Sequence, residues 1–151
     1  MILPRAGGGG SCTGEPVWTH EEAQPARTIR ASGDLLVGSD GNSRVYGLRT
    51  TTTGRRWSGP GALLGIADGC VVTSGVIPWG MSLNGFDVAT GELRWRRVIT
   101  LDDAVSYMTP PGVASPGCLH VCTDQRIDTI DVATGAVRWS RPWGCRSRTV
   151  R

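Results

Sequence analysis

Short apolar runs that each follow a glycine set the pattern of this 151-residue chain. They occupy residues 33–37 (GDLLV), 69–72 (GCVV) and 117–121 (GCLHV). Runs of this length that begin at a turn are typical of buried β-strands, and no helical periodicity accompanies them. The pattern therefore predicts an all-β chain.

A second motif repeats in phase with these runs. The five residues DVATG occur unchanged at 87–91 and 131–135, and Trp95 and Trp139 follow them. An earlier copy (TGEPVW) covers residues 13–18, and a degenerate copy has Thr-Gly shortly before Trp57. The four tryptophans recur about every 40 residues, a period that is typical of β-propeller blades made of several short strands.

The motif has a direct physical interpretation. Residues 83–88 and 92–97 are predicted to be antiparallel strands, and Gly91 supplies the positive φ that the turn between them requires. Asp87 is expected to accept hydrogen bonds from backbone amides of this turn. Trp95 is expected to point off the sheet and to pack against a neighbouring blade. The same roles are predicted for Asp131, Gly135 and Trp139.

From Thr13 to about Trp139 the chain resembles the pyrroloquinoline-quinone-like (PQQ-like) β-propeller repeats, whose tryptophan-docking motif reads Ala-x-Asp-x-x-Thr-Gly-x-x-x-Trp. The Ala place holds Gly85 and Thr129 here, and Arg49 stands at the Asp place before Trp57, so a less ordered turn is expected there. The resemblance implies about three four-stranded antiparallel blades of a propeller whose ring is incomplete.

The predicted organisation is a flexible leader (1–12), a partial propeller (13–141) and a tail (142–151). Blades are expected at about 27–58, 62–97 and 105–141, with residues 17–19 as the outer strand of a preceding blade. Because propellers close with four to eight blades, open blade faces should remain. The chain is then either a fragment of a larger protein or a piece that self-associates through these faces.

Charge and composition exclude some partners and leave the compartment open. The net charge is +3, all 16 basic residues are arginine, and they are scattered, so nucleic acid is not expected as a partner. No apolar stretch is long enough for a signal peptide or a transmembrane segment. Only the family resemblance suggests an extracytoplasmic or membrane-attached location.

The cysteines and histidines match no zinc-binding pattern. Cys118 and Cys122 would lie about 13 Å apart along one extended strand, too far for a mutual disulfide. Bridges between different strands stay open, and the odd number of cysteines leaves at least one thiol. The five cysteines and two histidines are Cys12, Cys70, Cys118, Cys122, Cys145, His20 and His120.

A few residues could carry chemistry, but each has a simpler structural interpretation. The paired carboxylates Asp102 and Asp103 are interpreted as a polar loop between blades, with a metal or base site as the alternative. His120 alternates with apolar residues, so a packed or surface histidine is expected and a metal ligand is not. Residues 78–80 (PWG) are predicted to be a hairpin tip on which Trp79 packs, and residues 7–10 a flexible glycine run.

No residue is predicted to be catalytic or to bind a metal, and residues that would bind a cofactor stay open. The preferred hypothesis is a non-catalytic module, without a cofactor, that binds or scaffolds a protein or small ligand. Members of the resembled family serve in this way as sensor-like domains of bacterial serine/threonine kinases and as envelope assembly lipoproteins.

The alternative hypothesis is a fragment of a PQQ-dependent (quinoprotein) alcohol or sugar dehydrogenase. That activity would need PQQ, calcium with oxygen ligands, a carboxylate base and a basic group near the quinone. A third interpretation is a fragment that does not fold alone, because an exposed blade face favours aggregation.

Overall fold

The structure, a computed structural model, describes residues 27–40, 44–50, 55–100, 112–122 and 126–142. Within these residues the regular elements are β-strands, and they form three four-stranded antiparallel sheets. This confirms the predicted all-β class and the arrangement of about three blades in an incomplete ring. In the described part of the chain, no helix is long and apolar enough to span a membrane.

Each sheet is one blade, and its strands pair with their neighbours in chain order. The strands of the first blade are β1 (Thr28–Ser32), β2 (Leu35–Ser39), β3 (Arg44–Arg49) and β4 (Arg55–Pro60). Those of the second blade are β5 (Ala62–Ala67), β6 (Cys70–Ile77), β7 (Gly80–Asp87) and β8 (Leu93–Thr100). Those of the third blade are β9 (Gly112–Ser115), β10 (Cys118–Cys122), β11 (Arg126–Asp131) and β12 (Val137–Pro142).

The third and fourth strands of every blade share a β-bulge. In the second blade Gly85 pairs with Trp95, but the next residue, Phe86, pairs with Leu93, so Arg94 is left over on the bulge. The same shift follows the pairs Gly47–Trp57 and Thr129–Trp139 in the other two blades. A bulge re-aims the side chain at the extra position. In each blade the extra residue is the arginine before the tryptophan, so the bulge changes the direction in which that arginine side chain points.

The hydrophobic core lies between the blades. Between the first and second blades, Val37, Val45 and Trp57 pack against Val71 and Phe86. A larger cluster of the same kind lies between the second and third blades, and it includes Trp95, Leu119 and Ile130. Burial of apolar area between sheets is thus the main force that holds neighbouring blades together.

Several predictions fall outside the described residues. These are the leader, the outer strand at 17–19, the turn at 51–54, the pair Asp102 and Asp103, and nearly all of the tail. Cys12, His20 and Cys145 lie there as well. The domain boundaries as a whole likewise stay predictions.

Candidate functional site

The turn between β7 and β8 is built around Asp87. Its Oδ1 accepts hydrogen bonds from the amides of Ala89 at 2.8 Å and Thr90 at 2.9 Å. Arg94, the extra residue of the bulge, donates to Oδ2 at 2.5 Å. Gly91 adopts a φ of 75°, which glycine tolerates far better than other residues. The amide of Thr90 and then the guanidinium of Arg94 hold the pKa of Asp87 below its ordinary value of 3.8.

The turn between β11 and β12 repeats this arrangement around Asp131. Oδ1 accepts from the amides of Ala133 and Thr134 at 2.9 and 3.0 Å, and the guanidinium of Arg138 donates to Oδ2 at 2.6 and 3.0 Å. The Arg138 bond is the main cause that lowers the pKa of Asp131, and it raises the pKa of Arg138 in turn. Both oxygens of each aspartate are therefore used to hold a turn.

Trp57 links the first blade to the turn of the second. Its Nε1 donates a hydrogen bond of 2.9 Å to the carbonyl oxygen of Val88. The ring lies directly on Gly91, where an added Cβ would come within 2.5 Å of Trp57 Cγ. A buried indole needs an acceptor for its N–H, and this carbonyl supplies one.

Trp95 makes the same link between the second and third blades. Its Nε1 donates to the carbonyl oxygen of Val132 at 2.7 Å, and an added Cβ on Gly135 would lie 2.6 Å from Trp95 Cδ2. The ring also covers a glycine of its own blade, Gly85, where no Cβ would fit. Each docked indole thus lies between two glycines, since Gly47 takes the same place under Trp57.

Trp139 does not follow the pattern of the other two tryptophans. We predicted that it would pack against a neighbouring blade, but its side chain is 44% exposed, and Val113 on the same blade is 65% exposed. The physical reason is that the third blade is the last one in the described part of the chain. Its outward side, which we call the open face, presents these two side chains to solvent.

Polar side chains replace apolar ones next to Trp139 on the open face. The cross-strand neighbours of Gly47 and Gly85 are Val37 and Val72, whereas Thr129 has His120 opposite it. Both valines are fully buried between blades. The open face is therefore more polar than the two faces that are already docked.

His120 bridges two hydroxyl groups on this face. Its Nε2 lies 3.0 Å from Ser115 Oγ and its Nδ1 lies 2.8 Å from Thr129 Oγ1. A neutral imidazole can donate at one nitrogen and accept at the other, which satisfies both contacts. The group at Nδ1 is the hydroxyl of Thr129 and not the carboxylate that a Ser-His-Asp triad has there. We therefore interpret the three side chains as a structural hydrogen-bond network.

Trp79 lies at the tip of the hairpin between β6 and β7, as expected from residues 78–80, but it does not pack there. Its side chain is 62% exposed, and Val76 nearby is 69% exposed. The prediction that Trp79 packs on the turn was wrong. On one side the tip extends beyond the neighbouring strand, because β5 pairs with β6 only as far as Ser74, whereas β6 continues to Ile77.

The three described cysteines, Cys70, Cys118 and Cys122, carry free thiols. Burial raises the pKa of the Cys70 thiol, and the nearby Arg94 partly opposes this rise. Within the described ranges no group of three or more His, Cys, Asp and Glu side chains is placed to hold a metal ion.

Sequence reasoning missed two features of these interfaces. Gly47 stands ten residues before Trp57, as Gly85 stands before Trp95, so the glycine that lies under the Trp57 ring could be identified from the repeat. The hydrogen-bonded bridge from Ser115 through His120 to Thr129 could not be identified from sequence, because it depends on the pairing of three strands.

Comparisons with known proteins agree with this fold. No model of a protein family matches the chain, and no curated protein matches it. Among solved structures, BamB from Moraxella catarrhalis matches with a TM-score of 0.58 and 19% identity, over 82% of this chain and 37% of that one. A europium-containing methanol dehydrogenase matches with a TM-score of 0.58 and 15% identity, over 78% of this chain and 26% of that one.

A computationally designed protein, Ika4, matches with a TM-score of 0.59 and 13% identity, over 82% of this chain and 76% of that one. The chain thus has the PQQ-like β-propeller fold and corresponds to about a third of the BamB chain. Identities this low establish the fold alone. One of the three similar structures is a dehydrogenase and another is a designed protein, so the fold leaves catalytic activity open.

Proposed function

We propose that this chain is a non-catalytic propeller module that scaffolds or binds another protein. A propeller blade of that partner protein docks on the open face of the third blade. The observation that carries the proposal is the exposed ring of Trp139, which occupies the position from which Trp57 and Trp95 each reach a neighbouring blade.

The two docked tryptophans define the chemistry that a partner has to offer. Each indole N–H meets a backbone carbonyl, and each ring lies on a turn glycine that has no side chain to block it. A blade with an Asp-x-x-Thr-Gly turn supplies both groups. Val113 adds exposed apolar area on β9, which favours an apolar strand from the partner.

His120 adds a requirement for polarity. At the two docked faces, the corresponding valines, Val37 and Val72, belong to clusters of buried apolar side chains. A partner of the open face has to accommodate an imidazole beside Trp139, and a purely apolar surface would leave polar groups without solvent. His120 therefore favours one kind of blade over another, which is how a polar group confers specificity.

The acidic groups of the motif support a non-catalytic role. Asp87 and Asp131 use both carboxylate oxygens to bind backbone amides and an arginine. A general base needs an oxygen within reach of a substrate proton. These carboxylates stabilise the turns, and Trp57 and Trp95 stabilise the contacts between blades.

A chain shortened to residues 27–151 tests the docking role with a defined partner. Its first blade carries Leu36 and Leu48 as a cross-strand pair, in the place of the Val71–Phe86 pair that packs with Trp57. We expect light scattering to show that this shortened chain associates as its concentration rises. We expect Trp139→Ala to abolish the association and Trp79→Ala to leave it unchanged.

Circular dichroism of the shortened chain and of both variants is the folding control in this experiment, and Trp79→Ala is the matched control for loss of a tryptophan. A β-rich shortened chain that stays monomeric, or that associates equally well as Trp139→Ala, would show that the open face does not dock a blade.

Equilibrium dialysis of the full chain against PQQ tests the non-catalytic part of the proposal. We expect no saturable binding with either calcium or europium ions present. Saturable binding, with reduction of a dye when an alcohol is added, would replace the proposal by the dehydrogenase alternative.

A further inference from the structure

One position on the third strand of a blade is polar and buried in both the second and the third blades. It lies three residues before the motif aspartate and holds Asn84 in β7 and Asp128 in β11, which are 5% and 3% exposed. The residue opposite it on the fourth strand is Arg96 in the second blade and Ser140 in the third. The two blades therefore carry corresponding polar sites at the same level of the sheet.

In the third blade this site contains a fully bonded carboxylate. Both oxygens of Asp128 accept hydrogen bonds of 3.1 Å from Nε of Arg126, and Oδ1 also accepts from the hydroxyl of Ser140 at 2.6 Å. A buried carboxylate needs partners of this kind, because its burial without them is strongly unfavourable. One arginine and one serine thus bind one carboxylate.

The second blade has the same arginine and serine, but its site lacks the carboxylate. Arg96 takes the position of Ser140, and Ser82 takes the position of Arg126, so the two residue types have exchanged strands. Asn84 stands where the third blade has its aspartate. Among the described residues, no carboxylate forms an ion pair with Arg96 and no group forms a hydrogen bond with the side chain of Asn84.

The side chain of Asn84 lies at the interface between the first and second blades. Side chains alternate along a strand, so Asn84 is on the same side of β7 as Phe86, which packs in one cluster with Trp57 of the first blade. Thr73, directly opposite Asn84 on β6, donates a hydrogen bond to the carbonyl oxygen of Pro60, the last residue of β4. Buried polar groups are normally hydrogen-bonded, so an amide without a partner indicates that a further group binds here.

Arg96 connects this buried amide with the surface. It is exposed on β8, the edge strand of the second blade, and it pairs directly with Asn84. The Cβ atoms of such a pair are about 4.5–5.5 Å apart. One small planar group that enters from the edge of the sheet can therefore contact both side chains.

We propose that the second blade binds a carboxylate group between Asn84 and Arg96, in the place that the carboxylate of Asp128 occupies in the third blade. The guanidinium of Arg96 donates hydrogen bonds to the carboxylate, and such charge-assisted bonds are short and strong. The amide nitrogen of Asn84 donates as well, and its neutral side chain does not repel the anion as an aspartate would.

The carboxylate comes from a small organic acid or from a glutamate side chain of a partner. In both cases the chemistry at the site is the same. The site lies between the first two blades, so it does not depend on the docking proposed for the open face of the third.

A titration of the full chain with sodium acetate tests the proposal, with NMR signals of the Asn84 side-chain amide and of Nε–H of Arg96 as the readout. We expect both signals to shift in a saturable way, and we expect no such shift with sodium chloride at equal ionic strength. Shifts that do not saturate, or that chloride reproduces, would overturn the proposal and would make a buried water the partner of Asn84.

Arg96→Gln and Arg97→Gln are a matched pair of variants. Both remove one arginine from β8, but side chains alternate, so only that of Arg96 lies on the side of Asn84. We expect Arg96→Gln to weaken acetate binding about ten-fold, because hydrogen bonds from a charged group are lost. We expect Arg97→Gln to leave it unchanged. Equal weakening in both variants would indicate unspecific attraction by positive charge and would contradict the proposal.

Asn84→Asp supplies the carboxylate from the chain itself. We expect this variant to lose saturable acetate binding, because its own side chain occupies the site beside Arg96. Acetate binding as strong as in the parent chain would contradict the proposal. If the variant does not fold, the titrations of the parent chain and of Arg96→Gln decide.

N-acetylglutamate bis-methylamide protected only at its main chain, that is, with a free side-chain carboxylate, distinguishes the two sources when it replaces acetate. Tighter binding than acetate favours a glutamate side chain, and weaker binding favours a small acid. Failure of both probes to bind would overturn the proposal, whereas association through the open face would be unaffected.

Discussion

The indole nitrogen of Trp95 donates a hydrogen bond of 2.7 Å to the carbonyl oxygen of Val132, in the turn of the next blade. The same turn places Gly135 against the ring of Trp95, so one side chain both packs on and hydrogen-bonds to its neighbour blade. Trp57 and Val88 repeat the relationship one blade earlier. One tryptophan in each of the first two blades therefore adds both apolar contact and a hydrogen bond to the interface with the next blade.

Replacing Trp95 with alanine should destabilise the chain strongly. The variant removes a ring that is 8% exposed and leaves a cavity between two blades, so we expect the free energy of unfolding to fall by about 3–5 kcal/mol. Chemical denaturation monitored by circular dichroism measures the change. Trp79→Ala is the matched control, because the same side chain is removed from an exposed tip, and we expect a change within about 0.5 kcal/mol. Similar losses in both variants would show that Trp95 does not hold the blades.

Replacing Gly135 with alanine should lower the free energy of unfolding much more than the same change at Gly33. Both glycines have a positive φ, 74° and 60°, so both variants bear the backbone strain of about 1–2 kcal/mol. Only at Gly135 would the new Cβ meet Trp95, whereas at Gly33 nothing lies within 4 Å. We expect denaturation to show a clearly larger loss for Gly135→Ala. Equal losses would mean that the ring moves away freely.

The extra cost at Gly135 should disappear when Trp95 is absent. In a double-mutant cycle, Gly135→Ala in the Trp95→Ala background should retain only the backbone strain, because the ring that blocks the Cβ is gone. The measurement is the coupling free energy from four denaturation curves. A coupling near zero would contradict the contact between the ring and the turn.

Stability should fall in acid as the two turn aspartates are protonated. The folded pKa of Asp87 and of Asp131 lies below the ordinary value of 3.8, so each carboxylate stabilises the fold above that pH. This contribution is lost as the pH falls from about 4 through the folded pKa values. We expect Asp131→Asn, which cannot ionise, to flatten the dependence of unfolding free energy on pH below 4. An unchanged pH profile would show that Asp131 does not stabilise the turn as a carboxylate.

The thiol of Cys70 should react slowly with iodoacetamide in the folded chain. Burial raises its pKa, so the reactive thiolate is scarce, and the side chain is inaccessible as well. Cys122 is half-buried and should be alkylated before Cys70, as peptide mass mapping can show. Unfolding in denaturant should remove the difference. Equal rates in the folded chain would mean that the second blade opens readily.

The blade repeat was predictable from sequence because its causes are local. The carboxylate of Asp87, the positive φ of Gly91 and the position of Trp95 are determined within nine residues of chain, and the same chemistry returns around Asp131. The docking of Trp95 followed from the repeat itself. The glycines that lie under the two rings could be identified from sequence in the same way, since Gly47 and Gly85 stand at the same spacing before Trp57 and Trp95.

The exposure of Trp139 and Trp79 was not predictable in the same way. Trp139 belongs to a motif copy with the same Asp, Thr, Gly and Trp as that of Trp95, but in the described part of the chain no blade lies beyond it. Trp79 is exposed at the hairpin tip between β6 and β7, beyond Ser74, the last residue of β6 that pairs with β5. Both outcomes depend on what surrounds a side chain in space.

By itself, the sequence determined the strands, their turns and the order of the blades, because hydrogen bonds within a turn and the period of apolar residues are properties of neighbouring residues. Only the tertiary structure decided which faces are covered. It buried Leu36 and Leu48 on the first blade and left Trp139 beside His120 open on the third. The physical reason is that burial is set by contacts between sheets, and identical motifs differ in exposure when their neighbours differ.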